Sequence, residues 1–127
     1  DGQINIGNYL FTDFNELSAQ YDIDDIDFEK SGGLIPIIVQ DATTKDVLTL
    51  AYSNKESLEL TKKTGNSWFW SRSRNKLWMK GEESGNTQKV KEILVDCDSD
   101  AIIYLVDPSG PACHTGERVC FHNNLEK

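Results

Sequence analysis

Alternating apolar stretches and turn residues divide the middle of the chain into short elements. The stretch LIPIIVQD, which follows Gly32 and Gly33, is rich in Ile and Val and predicts a buried strand with Pro36 near its start. The next residues, DATTKD from Asp41 to Asp46, are typical of a turn. Because the apolar stretch VLTLAY follows at once, the pattern predicts a returning strand and therefore a β-hairpin.

The segment SNKESLELTKKTG carries signals for both ends of a helix. Either Ser53 or Asn54 can act as the N-cap, because both side chains accept hydrogen bonds from the first-turn amides. Gly65 follows a lysine pair, which is a common way for a helix to end. We therefore predict a helix of about ten residues between these signals.

Strand patterns return after this helix. The aromatic residues of SWFWSRSR favour a strand, and KLWMKGEESGN turns through Gly81 and Gly85. TQKVKEILVDCDSDAIIYLVD predicts two strands, or one long bent strand, with acidic residues in its middle, and PSGPACHTGERVCF is typical of a loop. Together these elements predict an α+β domain with a mostly antiparallel sheet and one or two helices.

The first part of the chain differs from this domain. It is acidic, and the spacing of Phe14, Leu17 and Tyr21 fits either a short helix packed on the domain or a partly ordered tail. We expect three segments: an N-terminal acidic extension over 1–30, a globular domain over 31–122 and a C-terminal tail over 123–127.

Length and charge restrict the classes of function. A chain of 127 residues is one domain by the usual size range, and no apolar run approaches the ~20 residues of a membrane span. The formal net charge of −8 argues against a general nucleic-acid binder, because an acidic chain repels a polyphosphate. Four basic residues nevertheless lie close together: Arg72, Arg74, Lys76 and Lys80. This cluster is either a solvated face or a local pocket for a small phosphorylated ligand.

The stretch DCDSD places three carboxylates at alternate positions: Asp96, Asp98 and Asp100. On an extended strand these side chains would share one face and Cys97 would point to the other. Three carboxylates on one face repel one another unless a cation lies among them, and Mg²⁺ accepts carboxylate oxygens. The stretch therefore predicts either a magnesium site or a solvent-exposed acidic turn.

Three cysteines, an odd number, argue against a secreted disulfide scaffold and favour a reducing compartment. Cys113 and Cys120 lie in ACHTGERVC, a loop that can bring its two ends together, whereas Cys97 lies upstream on the expected strand. Thiolates select zinc, and a structural site needs four protein ligands, so His114 or His122 would have to complete it. A catalytic site needs only three ligands. Buried, unliganded thiols are the alternative.

His114 is the histidine best placed to act as a general base beside such a zinc site. Three thiolates donate much charge and weaken zinc as a Lewis acid, so water there needs help to lose its proton. The alternative is a loop histidine that is hydrogen-bonded to the backbone.

Four stretches in chain order are more specific than any single motif. They are GLIPIIVQD, VLTLAYSNKESLELTKKTG, SRSRNKLWMKGEESGNTQKV and DCDSDAIIYLVDPSGPACHTGERVCF, and they cover Gly33 to Phe121. In this order the chain resembles the phosphoribosyl-AMP cyclohydrolase family, which opens the adenine ring in histidine biosynthesis. It departs from the family at Ser53, where methionine is common, and at WFW, where a Phe- or Tyr-rich strand is usual.

The resemblance implies two metal sites. It places zinc, one ion per subunit, on Cys97, Cys113 and Cys120, and magnesium on Asp96, Asp98 and Asp100. It also implies an intertwined homodimer in which each zinc site takes cysteines from both subunits. A strand cysteine would then meet the loop of the partner subunit.

The same resemblance implies a hydrolase that acts on a cyclic amidine C–N bond, the N1–C6 bond of 1-(5-phosphoribosyl)-AMP. Zinc-bound hydroxide would attack C6 with His114 as the general base, and N1 would leave as the ring opens. We expect six residues to bind the substrate: Arg72, Arg74, Trp78, Lys80, Glu82 and Ser84. Guanidinium groups bind phosphate through paired hydrogen bonds. Trp78 either stacks on a base or belongs to the core.

Three other functions would use some of these residues. A zinc-dependent nucleoside or base deaminase needs an HxE…PCxxC pattern, which PACHTGERVC does not match. A non-catalytic zinc-stapled binding module would close the cysteine site with a histidine, so a fourth protein ligand favours the module and an open position favours the enzyme. A thiol hydrolase built on Cys113 and His114 is disfavoured, because sequence neighbours seldom reach nucleophile–base geometry.

We expect a cytoplasmic protein with no membrane or nucleic-acid partner. Because the chain begins with Asp1 rather than Met, a removed transit peptide would allow a plastid location instead. The last residues, NNLEK, are either a natural terminus or the start of a helix from a C-terminal pyrophosphohydrolase domain, as in fused members of the family.

Overall fold

The computed structural model describes residues 22–125, so the helix-like spacing of Phe14, Leu17 and Tyr21 lies outside the described residues. Two short 3-10 turns, Ile23–Asp25 and Glu29–Ser31, come first. The elements that follow are strands β1 (Ile35–Asp41) and β2 (Val47–Ser53), helix α1 (Lys55–Thr64), and strands β3 (Trp68–Ser71), β4 (Lys76–Met79), β5 (Gln88–Val95) and β6 (Ile102–Pro108).

Four strands form the main sheet in the order β2-β1-β6-β5, and β3 and β4 form a separate hairpin. Strand β1 pairs antiparallel with β2, β5 pairs antiparallel with β6, and β1 pairs parallel with β6. The predicted α+β class with a mostly antiparallel sheet is therefore confirmed. The parallel pair at the centre joins strands that are far apart in the sequence, which local patterning does not reveal.

The predicted β1–β2 hairpin is confirmed, and Asp41 holds its turn in place. Oδ1 of Asp41 accepts hydrogen bonds from the backbone N–H groups of Thr43 at 2.8 Å and Thr44 at 3.1 Å. Oδ2 of Asp41 accepts one from the guanidinium of Arg118 at 2.9 Å. The N–H of Thr44 is the largest of the effects that hold the pKa of Asp41 below its usual range, and together these contacts outweigh the opposing effect of burial.

The predicted helix is confirmed over Lys55–Thr64, and Asn54 is its N-cap. The Asn54 side chain accepts from the N–H of Ser57 at 2.8 Å, and Ser57 Oγ accepts from the N–H of Asn54 at 3.0 Å, which completes a capping box. Gly65 ends the helix with a left-handed φ of 79°. Among the described residues, no helix has the length and apolar content needed to cross a membrane.

The hydrophobic core lies on one face of the main sheet. Alternate residues of β1 are fully buried, and Leu58 of α1 and Phe69 of β3 pack in the same cluster. Tyr104 of β6 stacks on Phe69 with ring centroids 5.9 Å apart, and its hydroxyl donates to Thr61 Oγ1 at 3.2 Å. Ile26, from the segment that precedes β1, joins this core and is 8% exposed.

The other face of the main sheet carries an apolar row, hereafter the outer row. Leu50, Ile38, Ile103 and Leu94 are aligned in register across the four strands. Their strand neighbours point into the core, so these four side chains point away from it. Leu50 and Leu94 are each 43% exposed.

Replacing Asp41 with Ala should lower the free energy of unfolding by about 2 kcal/mol, because two turn amides and a guanidinium lose their acceptor. Urea denaturation at neutral pH measures this loss. The matched control is Asp46→Ala: Asp46 also pairs with Arg118, at 2.7 Å, but its side chain is 55% exposed and the loss should be much smaller. Equal losses in the two variants would contradict this role of Asp41.

The stabilising effect of Asp41 should also depend on pH. Its folded-state pKa is lowered, so its contribution is fully present above the unfolded-state pKa, near 3.8, and disappears as the pH falls through the lower folded value. The difference in free energy of unfolding between the wild type and Asp41→Asn should therefore become smaller as the pH falls below about 3.8. A difference that stays constant through the acidic range would exclude the ionised Asp41 carboxylate as its source.

Candidate active site

The structure places the three aspartates in a turn between β5 and β6, hereafter the acidic turn (residues 96–101). Oδ1 of Asp96 accepts from the N–H groups of Asp100 at 3.0 Å and Ala101 at 3.2 Å, and Ser99 has a left-handed φ of 66°. The prediction that the aspartates share one face of a strand is therefore wrong, because the chain reverses there. Cys97, which was expected on that strand, is exposed in the same turn.

The three carboxylates nevertheless converge. One oxygen each from Asp96, Asp98 and Asp100 lies within 4.8 Å of the other two, so these residues fit a hard divalent cation. The ammonium of Lys30 lies 3.0 Å from Asp98 Oδ2 and 2.9 Å from Asp100 Oδ2. One ammonium offsets only part of the negative charge of three carboxylates.

The titration of these groups follows from their contacts. Hydrogen bonds, first from Lys30, lower the pKa of Asp98 to about 2. Lys30 also acts to lower the pKa of Asp100, but the carboxylates of Asp98 and Asp96, together with burial, outweigh it and leave that pKa raised. The two aspartates also raise the pKa of Lys30, and Asp100 has the larger effect. Lys30 therefore favours the ionised form of Asp98, and the two aspartates favour the charged form of Lys30.

The other two cysteines lie in the cysteine loop, residues 111–120, which follows β6. Cys113 accepts a backbone hydrogen bond from Gly116 at 3.0 Å and donates one to Glu117 at 3.1 Å, which closes the loop on itself. The N–H of Cys120 donates to the carbonyl of Leu48 at 2.7 Å, so the end of the loop lies along the edge strand β2. Arg118 fastens the same loop to Asp41.

The sulfur of Cys113 is surrounded by groups that favour its ionised form. Oγ1 of Thr115 donates to Cys113 Sγ at 3.0 Å, and Nε2 of His122 lies 3.9 Å from the same sulfur. These contacts, Thr115 first and then His122 and Cys120, lower the pKa of Cys113 to about 6. A thiolate at neutral pH is the form that binds zinc, so the donor chemistry fits this metal. Sequence reasoning missed Thr115; a hydroxyl two residues after a cysteine was the available signal.

A single chain does not bring the three cysteines together. Among residues 22–125, the aspartate cluster is the only group of three potential metal ligands whose donor atoms all lie within 4.8 Å. Cys120 lies beside Leu48 on the edge strand β2, whereas Cys97 follows the last residue of the opposite edge strand, β5.

The two positions also lie at opposite ends of the strands. Leu48 is next to Val47, which pairs with Gln40 near the end of β1. Val95 pairs with Ile102 at the start of β6, which runs parallel to β1. Cys97 and Cys120 therefore occupy diagonally opposite corners of the main sheet.

The two histidines differ in their relation to the thiols. His114 is an exposed loop residue directly after Cys113, and its role as a general base stays a prediction. His122 is also exposed, but its ring nitrogen is the histidine atom that lies near Cys113 Sγ. The geometry thus favours His122 over His114 as a potential fourth ligand.

A cleft of about 200 Å³ opens on the β3–β4 hairpin and the loop after it, hereafter the basic cleft. Five of the six residues predicted to bind substrate line this cleft: Arg74, Trp78, Lys80, Glu82 and Ser84. The sixth, Arg72, does not line it; its guanidinium lies 4.0 Å above the ring of Tyr52. The structure therefore gathers the residues that the sequence could identify only as a cluster along the chain.

The loop after β4 requires glycine at Gly81. Its φ is 85°, and a Cβ atom there would lie 2.5 Å from backbone atoms of Asn86 and Thr87. Glu82 Oε1 accepts from the N–H of Met79 at 2.9 Å, and Ser84 Oγ accepts from the N–H of Asn86 at 3.2 Å. These two side chains shape the loop that forms the cleft.

Trp78 takes part in the core and in the cleft. Its ring centroid lies 5.2 Å from that of Phe69, and it packs against the hydrophobic core while remaining partly exposed. The core interpretation of Trp78 is thus confirmed. Stacking on a nucleotide base stays a prediction.

Comparison with known proteins gives a consistent result. The family model for phosphoribosyl-AMP cyclohydrolase matches residues 49–122. A phosphoribosyl-AMP cyclohydrolase of Nitrosopumilus maritimus is 86% identical over 104 residues, which are 82% of this chain and 96% of that protein. One of Cenarchaeum symbiosum is 79% identical over 103 residues, 81% of this chain and 95% of that protein.

A longer relative matches the same part of the chain. The histidine biosynthesis bifunctional protein HisIE of Thermus thermophilus is 59% identical over 104 residues, which are 82% of this chain but 48% of that protein. These three relatives are archaeal and bacterial, and they give no support to the plastid alternative.

Replacing Thr115 with Val should raise the pKa of Cys113 from about 6 toward the ordinary thiol value of 9.0, because the thiolate loses its main hydrogen-bond donor. The measurement is the pH dependence of alkylation at Cys113 in chelator-treated protein, followed by peptide mass spectrometry. The exposed Cys97 in the same digest is the internal control. An unchanged midpoint for Cys113 would show that Thr115 does not stabilise the thiolate.

Proposed function

Because the chain belongs to the phosphoribosyl-AMP cyclohydrolase family, we propose that it hydrolyses the N1–C6 bond of 1-(5-phosphoribosyl)-AMP and so opens the purine ring in histidine biosynthesis. The observation that carries this proposal is the 86% identity to a phosphoribosyl-AMP cyclohydrolase over 96% of its length. The thiol, acidic and basic groups described above are the chemical groups that such a reaction needs.

We assign a zinc site to Cys97, Cys113 and Cys120. The lowered pKa of Cys113 and the neighbouring Cys120 support this assignment. A zinc ion held there would supply Lewis acidity and lower the pKa of a water molecule at the reacting carbon. Since Cys97 lies at the opposite corner of the sheet, the third thiolate is assigned to a second copy of the chain.

The outer row supports a homodimer with this arrangement. A row of apolar side chains across a whole sheet is the kind of surface that a partner covers. If two outer faces pack on a two-fold axis that lies between them, perpendicular to the line joining the Cys97 and Cys120 corners, the strands of the two sheets cross at a large angle, as in orthogonal sheet packing. That axis carries the Cys97 corner of one chain to the Cys120 corner of the other. Each dimer would then complete two equivalent sites.

His114 is assigned the proton transfers. Its exposed position next to Cys113 lets it accept a proton from the attacking water as the oxygen bonds to C6. The C6–N1 bond then breaks as the imidazolium returns that proton to N1, and the second water proton passes from the C6 hydroxyl to the exocyclic imino nitrogen, which becomes the amide NH2, so no net proton is gained or lost. Water thus becomes the carboxamide oxygen of the opened ring.

The substrate carries two phosphate groups, and two regions are assigned to bind them. Arg74 and Lys80 line the basic cleft and supply positive charge, while Trp78 presents its ring for base stacking. Magnesium on the acidic turn would supply a second point of phosphate attachment. Arg72, now stacked on Tyr52, is close enough in sequence to join the cleft residues if it leaves that ring.

One observation favours the alternative of a non-catalytic zinc-stapled module. His122 Nε2 lies 3.9 Å from Cys113 Sγ and offers a fourth donor to a metal at that sulfur. A site closed by His122 would have no position left for water. The enzyme and the module therefore differ in whether His122 binds the metal.

Mixing Cys97→Ala with Cys113→Ala should restore activity that neither variant shows alone. In a mixed dimer, Cys97 of the Cys113→Ala chain meets intact Cys113 and Cys120 of the other chain, so one of two sites is complete. The measurements are the absorbance assay of ring opening and the zinc content after the chains are co-refolded. We expect up to about a quarter of wild-type activity, since about half of the dimers are mixed and each has one working site.

A control tests whether the outer row joins the chains. Adding Leu50→Glu to both variants should prevent the recovery and give monomers in size-exclusion chromatography with light scattering, whereas Leu125→Glu, at a position 96% exposed, should not. Absence of recovery in stable mixed dimers would show that the zinc site does not combine cysteines from two chains.

His114→Ala should keep bound zinc and lose at least about 100-fold in kcat, because the general base is removed while the thiolates remain. His122→Ala is the matched control, and it should retain both zinc and rate. Steady-state assays and atomic absorption give the two readouts. Loss of zinc in His122→Ala together with no ring-opening activity in the wild type would favour the closed zinc module. Full activity in His114→Ala would show that His114 is not the general base.

A further inference from the structure

The acidic turn already contains a positive charge from its own chain. The Nζ atom of Lys30 lies 3.0 Å from Asp98 and 2.9 Å from Asp100, close to where the oxygens of three carboxylates converge. Sequence reasoning did not connect Lys30 with the aspartates, which it assigned to magnesium alone. The ammonium and a divalent ion would therefore compete for the same carboxylates.

The backbone around Lys30 is fixed to the acidic turn and to the core. The N–H of Asp27 donates to the carbonyl of Ser99 in the turn at 2.8 Å, and Asp27 Oδ1 accepts from the N–H of Lys30 at 3.0 Å. Ile26, next to Asp27, is 8% exposed and packs in the core. These contacts hold the lysine side chain within reach of the aspartates.

We propose that Lys30 is an internal competitor of the divalent cation at the acidic turn, so that the cation binds only when the Lys30 side chain withdraws. This inference rests on the proposed magnesium site, which it deepens by naming the group that occupies the site in the metal-free chain. It makes the contact between Lys30 and the acidic turn an autoinhibitory one.

Size and charge make the two occupants exclusive. Magnesium binds carboxylate oxygens at about 2.0–2.1 Å in a strict octahedral arrangement that includes several waters. An ammonium in contact with two of the same carboxylates would stand next to the ion, and two positive charges at such a distance repel strongly. One of them must leave.

Withdrawal of the lysine is geometrically simple. The Lys30 side chain is 48% exposed, so it can rotate into solvent while Ile26 and Asp27 keep the backbone in place. The competition between Lys30 and the cation therefore requires movement of the Lys30 side chain only. Cation affinity is reduced by the stability of the ion pairs, and the three carboxylates are never left without a positive partner.

The test is a titration of the full chain with Mn²⁺, a paramagnetic substitute for Mg²⁺, followed by electron paramagnetic resonance. Lys30→Met should bind Mn²⁺ at least about tenfold more tightly than the wild type, and Lys30→Arg should remain near the wild type. Lys55→Met is the matched control: Lys55 Nζ also pairs with an aspartate, Asp24, at 3.0 Å, but Asp24 is not one of the three aspartates of the acidic turn, so affinity should not change.

Thermal unfolding gives a second readout, which does not depend on activity. Without metal, Lys30→Met should melt at a lower temperature than the wild type, and Mn²⁺ should raise its melting temperature by more than it raises that of the wild type. If Lys30→Met does not fold, Lys30→Gln takes its place, because the amide can still donate to the aspartates without carrying charge.

Two outcomes overturn the inference in distinguishable ways. Equal Mn²⁺ affinity in the wild type and the Lys30 variants, with binding lost in Asp98→Asn, removes the competitor role but leaves the proposed magnesium site intact. No Mn²⁺ binding in any variant removes both the competitor role and the magnesium site, while ring-opening activity still tests the zinc site separately.

Discussion

The parallel pairing of β1 with β6 positions the acidic turn and the cysteine loop at opposite ends of the main sheet. It places Val39 beside Tyr104 at the centre of the sheet, and it brings the end of β6 next to the β1–β2 turn, where the N–H of Ala42 donates to the carbonyl of Val106 at 2.8 Å. The cysteine loop therefore begins beside the hairpin, and Arg118 can reach Asp41. The acidic turn, which precedes β6, is directed to the opposite end of the sheet.

This arrangement separates the cysteines within one chain, which is the physical reason for proposing a site shared between two chains. The loop with Cys113 and Cys120 lies along the β2 edge, and Cys97 lies beyond the end of β5. The outer row connects these two edges across the sheet with apolar side chains. Separation of the ligands and exposure of an apolar surface are thus consequences of the same strand order.

Charge is distributed to match the proposed chemistry. The chain has a net charge of −8, yet Arg74 and Lys80 lie together in the basic cleft. Three aspartates, by contrast, lie together in the acidic turn, where Lys30 offsets only part of their charge. A phosphate-bearing substrate and a divalent cation are the ligands that we propose for these two regions, and neither proposal follows from the net charge.

The sequence alone determined the elements that depend on near neighbours. The hairpin at Asp41, the helix that begins after Ser53 or Asn54 and the family motifs all rest on residues a few positions apart, so their patterns could be interpreted directly. Only the tertiary structure decided that the aspartates form a turn, that the cysteines lie at opposite corners, and that Lys30 reaches Asp98, 68 residues away. Such contacts depend on which strands pair and on the path of the connections between them. Packing of the whole domain, rather than any local stretch of sequence, determines both.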